Sequence, residues 1–187
     1  KFFSIANFMR NEKPQRGRNR EFWQLNCDIF GSASLAADLE IFQLSLDIMK
    51  AFGAPAGSFT LRLNSRKLLD NLLPAFQIKV KDKSSIFRVL DKHAKIEAAE
   101  FVRRLVAAGA EEAAAVRLES FMRGGEQNLF TAALQENEEL RAAKKEIDFV
   151  LKQLSSLGYN QAKFDPTLIR GFDYYDGLVF EVFDNHP

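Results

Sequence analysis

Cysteine is almost missing from this chain: among 187 residues, Cys27 stands alone. One thiol excludes an internal disulfide framework and any zinc site built from several cysteines, and it suits a reducing, cytoplasmic setting. Histidine is nearly as scarce. His93 and His186 are the two present, and neither stands at metal-ligand spacing from the other or from Cys27, so a histidine-based triad is not expected. His93, in LDKHAK, is expected to be exposed at a helix end. No uncharged apolar run approaches the roughly 18 residues of a bilayer-spanning helix, so no membrane partner is expected. The sequence contains neither GxxxxGK[ST] nor GxGxxG, which removes two familiar glycine-rich phosphate cradles. Charge of one sign is not in excess either. The net charge is +1, and a role with nucleic acid would have to rest on local charge.

What is present is the composition of a soluble globular protein, with 47% hydrophobic and 27% charged residues. The length suits one domain, or a small core carrying an inserted subdomain. FFSIANF follows Lys1 directly, with no secretory leader pattern, and LVFEVFDNHP stands at the other end. Strand-like runs at both ends lead to the expectation that the chain is a fragment of a longer protein.

Residues 2–9 and 21–30 read as two strands joined by the charged stretch NEKPQRGRN. Alternation along the second strand sends Trp23, Leu25, Cys27 and Ile29 to one face, expected to be core. Phe22, Gln24, Asn26 and Asp28 go to the other, a polar floor bracketed by Phe22 and Phe30. Residues 35–52 have helical spacing through Leu35, Leu39, Phe42, Leu46 and Met49, with Gly53 as the stop. FTLRL, residues 59–63, is a third strand, and Asn64 or Ser65 is placed to cap a helix over SRKLLDNLL. From about Ser84 to Leu157 the chain is rich in Ala, Glu, Leu, Lys and Arg. Breaks near His93–Lys95, Gly109, Gly124–Gly125 and Gly158 predict three or four helices. Beyond Asp165–Pro166, LIRGFDYYDGLVFEVFD reads as strand, tight turn and strand. The order points to an α+β domain divided as core residues 1–69, a helical insertion over 70–160 and core residues 161–187.

Two stretches carry chemistry. RNEKPQRGRNR, residues 10–20, holds five cations and one acid. Arg16, Arg18 and Arg20 recur every second residue, so in extended backbone their guanidinium groups share a side. Guanidinium meets phosphate oxygens in bidentate fashion and stays charged at any working pH. The stretch reads either as a solvated basic loop or as a phosphate clamp beside an aromatic ring. The second stretch, RGFDYYDG, gathers an arginine, two carboxylates and two adjacent tyrosines, which are either cross-strand packing or the wall of a polar pocket.

Together these stretches identify a resemblance. RNEKPQRGRNREFWQLNCDIFG resembles motif 2 of class II aminoacyl-tRNA synthetases in its histidyl form, and IRGFDYYDGLVFEV resembles the second histidine-specific signature of that family. ADLEIF and LRLNSRKLL, between them, are also similar. The resemblance implies an antiparallel class II catalytic core, in part, with a mostly helical insertion. It implies ATP, accompanied by Mg2+, together with L-histidine and tRNA(His), and a homodimer for the full-length parent. It assigns Arg10 to the α-phosphate and the carboxylate being activated, Glu12 to the neighbourhood of the adenine, Arg18 to the γ-phosphate and Phe22 to stacking on the base. Gln24 would contact the amino acid and Asp28 its imidazole. Arg170 would be the catalytic arginine at the α-phosphate, and Tyr174 and Tyr175 would complete the histidine pocket. The family's segment preceding these residues, its motif 3 and its anticodon-binding domain have no counterpart here, so weak or no activity is expected of this chain alone. Two relatives without ligase activity stand as alternatives: the synthetase-like regulatory subunit of ATP phosphoribosyltransferase in histidine biosynthesis, and a synthetase-like sensor of uncharged tRNA. The regulatory subunit tends to lose the arginines for ATP, whereas Arg10, Arg18 and Arg170 are present here.

Overall fold

The structure, a computed structural model, describes residues 1–15, 18–78, 83–125, 127–169 and 176–186. It divides into two compact units, Lys1–Ile41 and Phe42–Pro187.

The first unit is built on a hairpin. Strands β1 (Phe2–Met9) and β2 (Glu21–Asp28) pair antiparallel, with Phe8 opposite Phe22, Ala6 opposite Gln24, Ser4 opposite Asn26 and Phe2 opposite Asp28. The ladder continues past the last pair, where the Arg10 N–H donates to the Arg20 carbonyl at 2.7 Å. Gln15 and Arg18 close the hairpin tip by exchanging N–H···O bonds of 3.1 and 2.9 Å. Because opposed residues share a face, Phe3, Ile5 and Met9 line up with Trp23, Leu25 and Cys27. This face was expected to be core, and it is not: Phe3 is 75% exposed and Trp23 72%. Alternation fixed which side chains share a side but carried no information on what covers them, and a two-stranded ribbon cannot bury its own face.

Helix α1 (Leu35–Ala51) begins in the first unit, where Glu40 pairs with the Lys1 ammonium at 2.5 Å. It stops at Gly53, whose φ of 78° suits a residue without Cβ, and the Ala54 N–H caps the Met49 carbonyl. Phe42 and Leu46, spaced one turn apart, are its buried residues. Phe42 meets the Phe180 ring edge-on at 5.0 Å.

The second unit centres on β3 (Phe59–Ser65), flanked by β4 (Ala162–Phe164) in parallel and by β5 (Leu178–Asp184) in antiparallel pairing. Phe59, Leu61 and Leu63 are buried on one side of β3, and Asn64 and Ser65 are buried at its end. Helix α2 (Arg66–Ala75) follows without a loop. Ser65 is its N-cap in an extended conformation, but no side-chain cap bond forms. The helical stretch comprises α3 (Lys83–Leu90), α4 (Ala98–Ala107), α5 (Glu112–Met122), α6 (Gln127–Glu136) and α7 (Glu138–Ser156). That exceeds the three or four helices expected, because the chain also breaks between α6 and α7. Asn137 makes that break without glycine or proline: its side chain accepts the Leu140 N–H and caps α7. One apolar cluster joins α2 to the later helices through Leu68, Leu72, Phe76, Phe101, Phe121 and Ile147. His93 was expected to be exposed. It is instead 8% exposed in a single 3-10 turn, with its ring edge-on to Phe101 at 5.2 Å.

Candidate functional site

The face of the hairpin that carries Gln24 and Asp28 has a graded surface. At one end Phe8 and Phe22 stack with ring centroids 6.1 Å apart. The Arg10 guanidinium stands 4.0 Å from the centroid of Phe22, a cation–π arrangement that holds a cation beside an aromatic plane. At the other end Phe2 and Phe30 meet edge-on at 5.7 Å. Between these aromatic ends lie Ser4 and Ala6 on β1, opposite Asn26 and Gln24 on β2. Two small residues on one strand thus face the half-buried amides of the other. Gln24 donates from its side-chain amide to the side-chain oxygen Oδ1 of Asn26, and Asp28 is solvent-exposed at the end of the row. Alternation singled out Phe22, Gln24, Asn26 and Asp28. Ser4 and Ala6, which open the floor, were not singled out, and only the pairing register reveals them.

The basic connection converges on Glu12. Its carboxylate is 3.4 Å from Arg18 Nε, and its main-chain carbonyl accepts from Arg20 Nε at 3.1 Å. Arg18 and Arg20 thus both contact Glu12, while Arg16 lies outside the described residues. Arg170, Tyr174 and Tyr175 lie outside them as well.

The residues flanking that last segment are described and tightly held. Asp165 accepts the N–H and hydroxyl of Thr167 at 2.9 and 2.5 Å, and Arg62 Nη1 at 3.0 Å. Burial alone would raise the Asp165 carboxyl, but the Thr167 and Arg62 bonds outweigh it and hold the group below the usual carboxylate range. Asn64 donates to the carbonyls of Pro166 and Leu168 at 3.2 and 2.9 Å. A cavity of about 260 Å³ nearby, lined by Phe121, Phe130, Phe164 and Pro166 among others, is apolar and carries no titratable side chain. Among the described residues no group of three His, Cys, Asp or Glu side chains converges as a metal site, and no helix is long and apolar enough to cross a membrane.

Comparison with known proteins bears on both units. The chain is 37% identical over 190 residues to the histidine–tRNA ligase of Leptospira biflexa, an alignment covering 100% of this chain and 43% of that protein. It is 34% identical over 187 residues to the histidine–tRNA ligase of Haloarcula marismortui, covering 99% of this chain and 43% of that one. The chain therefore spans about 43% of the length of these curated relatives. Among solved structures, a histidyl-tRNA synthetase from Nostoc sp. PCC 7120 superposes with a TM-score of 0.77 at 23% identity, covering 96% of this chain and 43% of that one. A protein from Bacillus halodurans, described as an ATP phosphoribosyltransferase regulatory subunit/histidyl-tRNA synthetase, gives 0.73 at 22% identity, covering 97% of this chain and 47% of that one. These superpositions bear out the α+β fold expected from the sequence, the antiparallel class II core in part with its helical portion. The histidyl-tRNA synthetase family profile matches residues 1–186, so with motif, fold and relatives in agreement the chain belongs to the histidyl-tRNA synthetase family.

Proposed function

We propose that this chain is part of the catalytic region of a histidine–tRNA ligase, acting in the cytoplasm as part of a homodimeric parent. The parent activates L-histidine with ATP, expelling pyrophosphate, and transfers the histidyl group from the adenylate to the 3′-terminal ribose of tRNA(His). What supports the reading most is a single arrangement: the Arg10 guanidinium 4.0 Å from the Phe22 ring, on the same hairpin face as Gln24 and Asp28.

In this reading Phe22 stacks on adenine with Glu12 near the base, Arg18 holds the γ-phosphate and Arg10 holds the α-phosphate and the histidine carboxylate. The attacking carboxylate oxygen bonds to the α-phosphorus as the bond to the pyrophosphate oxygen breaks. Negative charge grows on the α-phosphate oxygens, and fixed guanidinium groups stabilise it without reorganising. Arg10 and Arg170 take that role by family resemblance. Gln24 contacts the amino acid, Asp28 accepts an imidazole N–H, and Tyr174 and Tyr175 complete the hydrogen bonds of the ring. A site of this kind rejects analogues that lack the ring nitrogens, because its own polar groups are then left unpaired. Mg2+ enters with the ATP phosphates; the described side chains offer it no set of ligands, and no step is assigned to it. The division into core 1–69, insertion 70–160 and core 161–187 belongs to the same proposal.

The test is histidine-dependent ATP–pyrophosphate exchange by the full-length protein. Arg170→Ala is expected to lower kcat by about 10²–10³-fold, the scale of losing one transition-state donor, with a smaller rise in KM for histidine. Normal adenylate formation by that variant removes the role of Arg170. Histidine binding without exchange in the wild type favours the regulatory-subunit reading, and tRNA binding without exchange favours the sensor.

A further inference from the structure

The middle of the polar row is held by a residue type that strands disfavour. Asn26 sits in β2 between Gln24 and Asp28, on the same face as both, and stands opposite Ser4 of β1. Asparagine is depleted from strands, where its short amide competes for the backbone. A residue placed against its local preference points to a use. The hydrogen bonding shows one: Gln24 Nε2 donates to Asn26 Oδ1, and both residues are half-buried.

A glutamine amide has ends of opposite character, two N–H donors on its nitrogen and an acceptor oxygen. Its terminal torsion is broad and nearly two-fold, so the side chain alone does not decide which end leads. Asn26 decides it. With one N–H given to Asn26 Oδ1, the Gln24 nitrogen is turned toward the Asp28 end of the row and its oxygen away from it. One N–H and the oxygen then remain for a ligand, in a fixed sense. Glutamine is also among the side chains that lose most freedom on ordering, and a tether removes part of that loss before the ligand arrives.

We infer that Asn26 is a positioning residue for histidine, acting through Gln24 by fixing the sense in which that amide meets the amino acid. The inference rests on the ligase reading above, in which Gln24 contacts the amino acid. Phe22, Arg18 and Arg10, assigned there to ATP, make no use of this bond. Losing it is therefore selective for histidine.

Two replacements of nearly the same shape test this in the full-length protein. Asn26→Leu removes the acceptor, and leucine suits a strand better than asparagine does, so the hairpin is kept. Asn26→Asp retains the acceptor and, when ionised, can only accept. In pyrophosphate exchange Asn26→Leu is expected to raise KM for histidine about 3–10-fold, the scale of one hydrogen bond, with KM for ATP within about twofold. Asn26→Asp is expected to stay within about twofold of the wild type for both substrates. In a Gln24→Ala background Asn26→Leu should have no further effect on KM for histidine, because the group it positions is gone.

An unchanged KM for histidine in Asn26→Leu, or equal rises in both KM values, overturns the inference. So does Asn26→Asp failing as Asn26→Leu does, since Asn26 would then act as a donor or by packing. A full Asn26→Leu effect in the absence of Gln24 overturns it too. Where Gln24→Ala is too weak to titrate, the contrast between Leu and Asp decides. A wild type that binds histidine in calorimetry without exchange sinks the ligase reading alone, and the same variants, read as Kd for histidine, then decide on Asn26. A wild type that binds no histidine overturns both.

Discussion

Asp165→Asn isolates one charge at the junction between β4 and the approach to Arg170. The carboxylate, with a side chain 13% exposed, accepts two bonds from Thr167 on one oxygen and the Arg62 guanidinium on the other. Asparagine keeps an acceptor for Thr167 but turns an N–H group toward a guanidinium that also has only N–H to offer. A hydrogen bond to a charged partner contributes about 1.5–3 kcal/mol. Arg62, 32% exposed, is partly screened by solvent, which places the expected loss near the lower end, about 2 kcal/mol. For a protein of this size that corresponds to roughly 4–8 °C in Tm. The pH dependence follows from the depressed folded-state carboxyl. The contribution is complete above the unfolded aspartate value of about 3.9 and is lost as pH falls through the lower folded value. Calorimetry of both proteins should thus show a constant Tm difference from about pH 7 to 5 that shrinks below about pH 4. A difference under about 1 °C at pH 7, or one that does not shrink in acid, refutes the reasoning.

His93 should give a second pH signature. Burial, with Arg123 adding to it, pushes its imidazole below its usual value, so the neutral ring is the folded form. Stability is full above about pH 6.5 and declines as pH falls toward the lower folded value; replacing His93 with Phe should flatten Tm across that window. Phe22→Ala should raise KM for ATP by about 5–150-fold, the scale of losing base–aromatic stacking of about 1–3 kcal/mol, while KM for histidine stays nearly constant in pyrophosphate exchange. Asn137→Ala should cost about 1 kcal/mol through loss of the α7 cap, measured by urea denaturation; an unchanged midpoint shows that the cap is dispensable.

Local patterns made the hairpin, α1 and β3 legible, because each combines a clear period with its own stop signal: the charged Pro- and Gly-containing connection, Gly53, and the turn APAG. The row Phe22, Gln24, Asn26 and Asp28 was legible for the same reason. What escaped depended on residues far away in sequence. β4 is three residues long and exists as a strand only because β3 lies beside it. His93 is buried by Phe101 and the helices around it rather than by its own neighbours. Asn64 looked like a local cap because its partners, Pro166 and Leu168, stand about a hundred positions away.

Trp23 is the sole tryptophan of the chain and is 72% exposed, on the back of the strand whose front carries Gln24. Intrinsic indole emission from these 187 residues therefore originates in the hairpin. Whatever comes to lie against that surface shifts the emission to the blue, and a ligand seated on the front reaches the same indole only through the strand between them. The molecule thus carries its own optical reporter, able to register covering of one side of β2 without an attached dye.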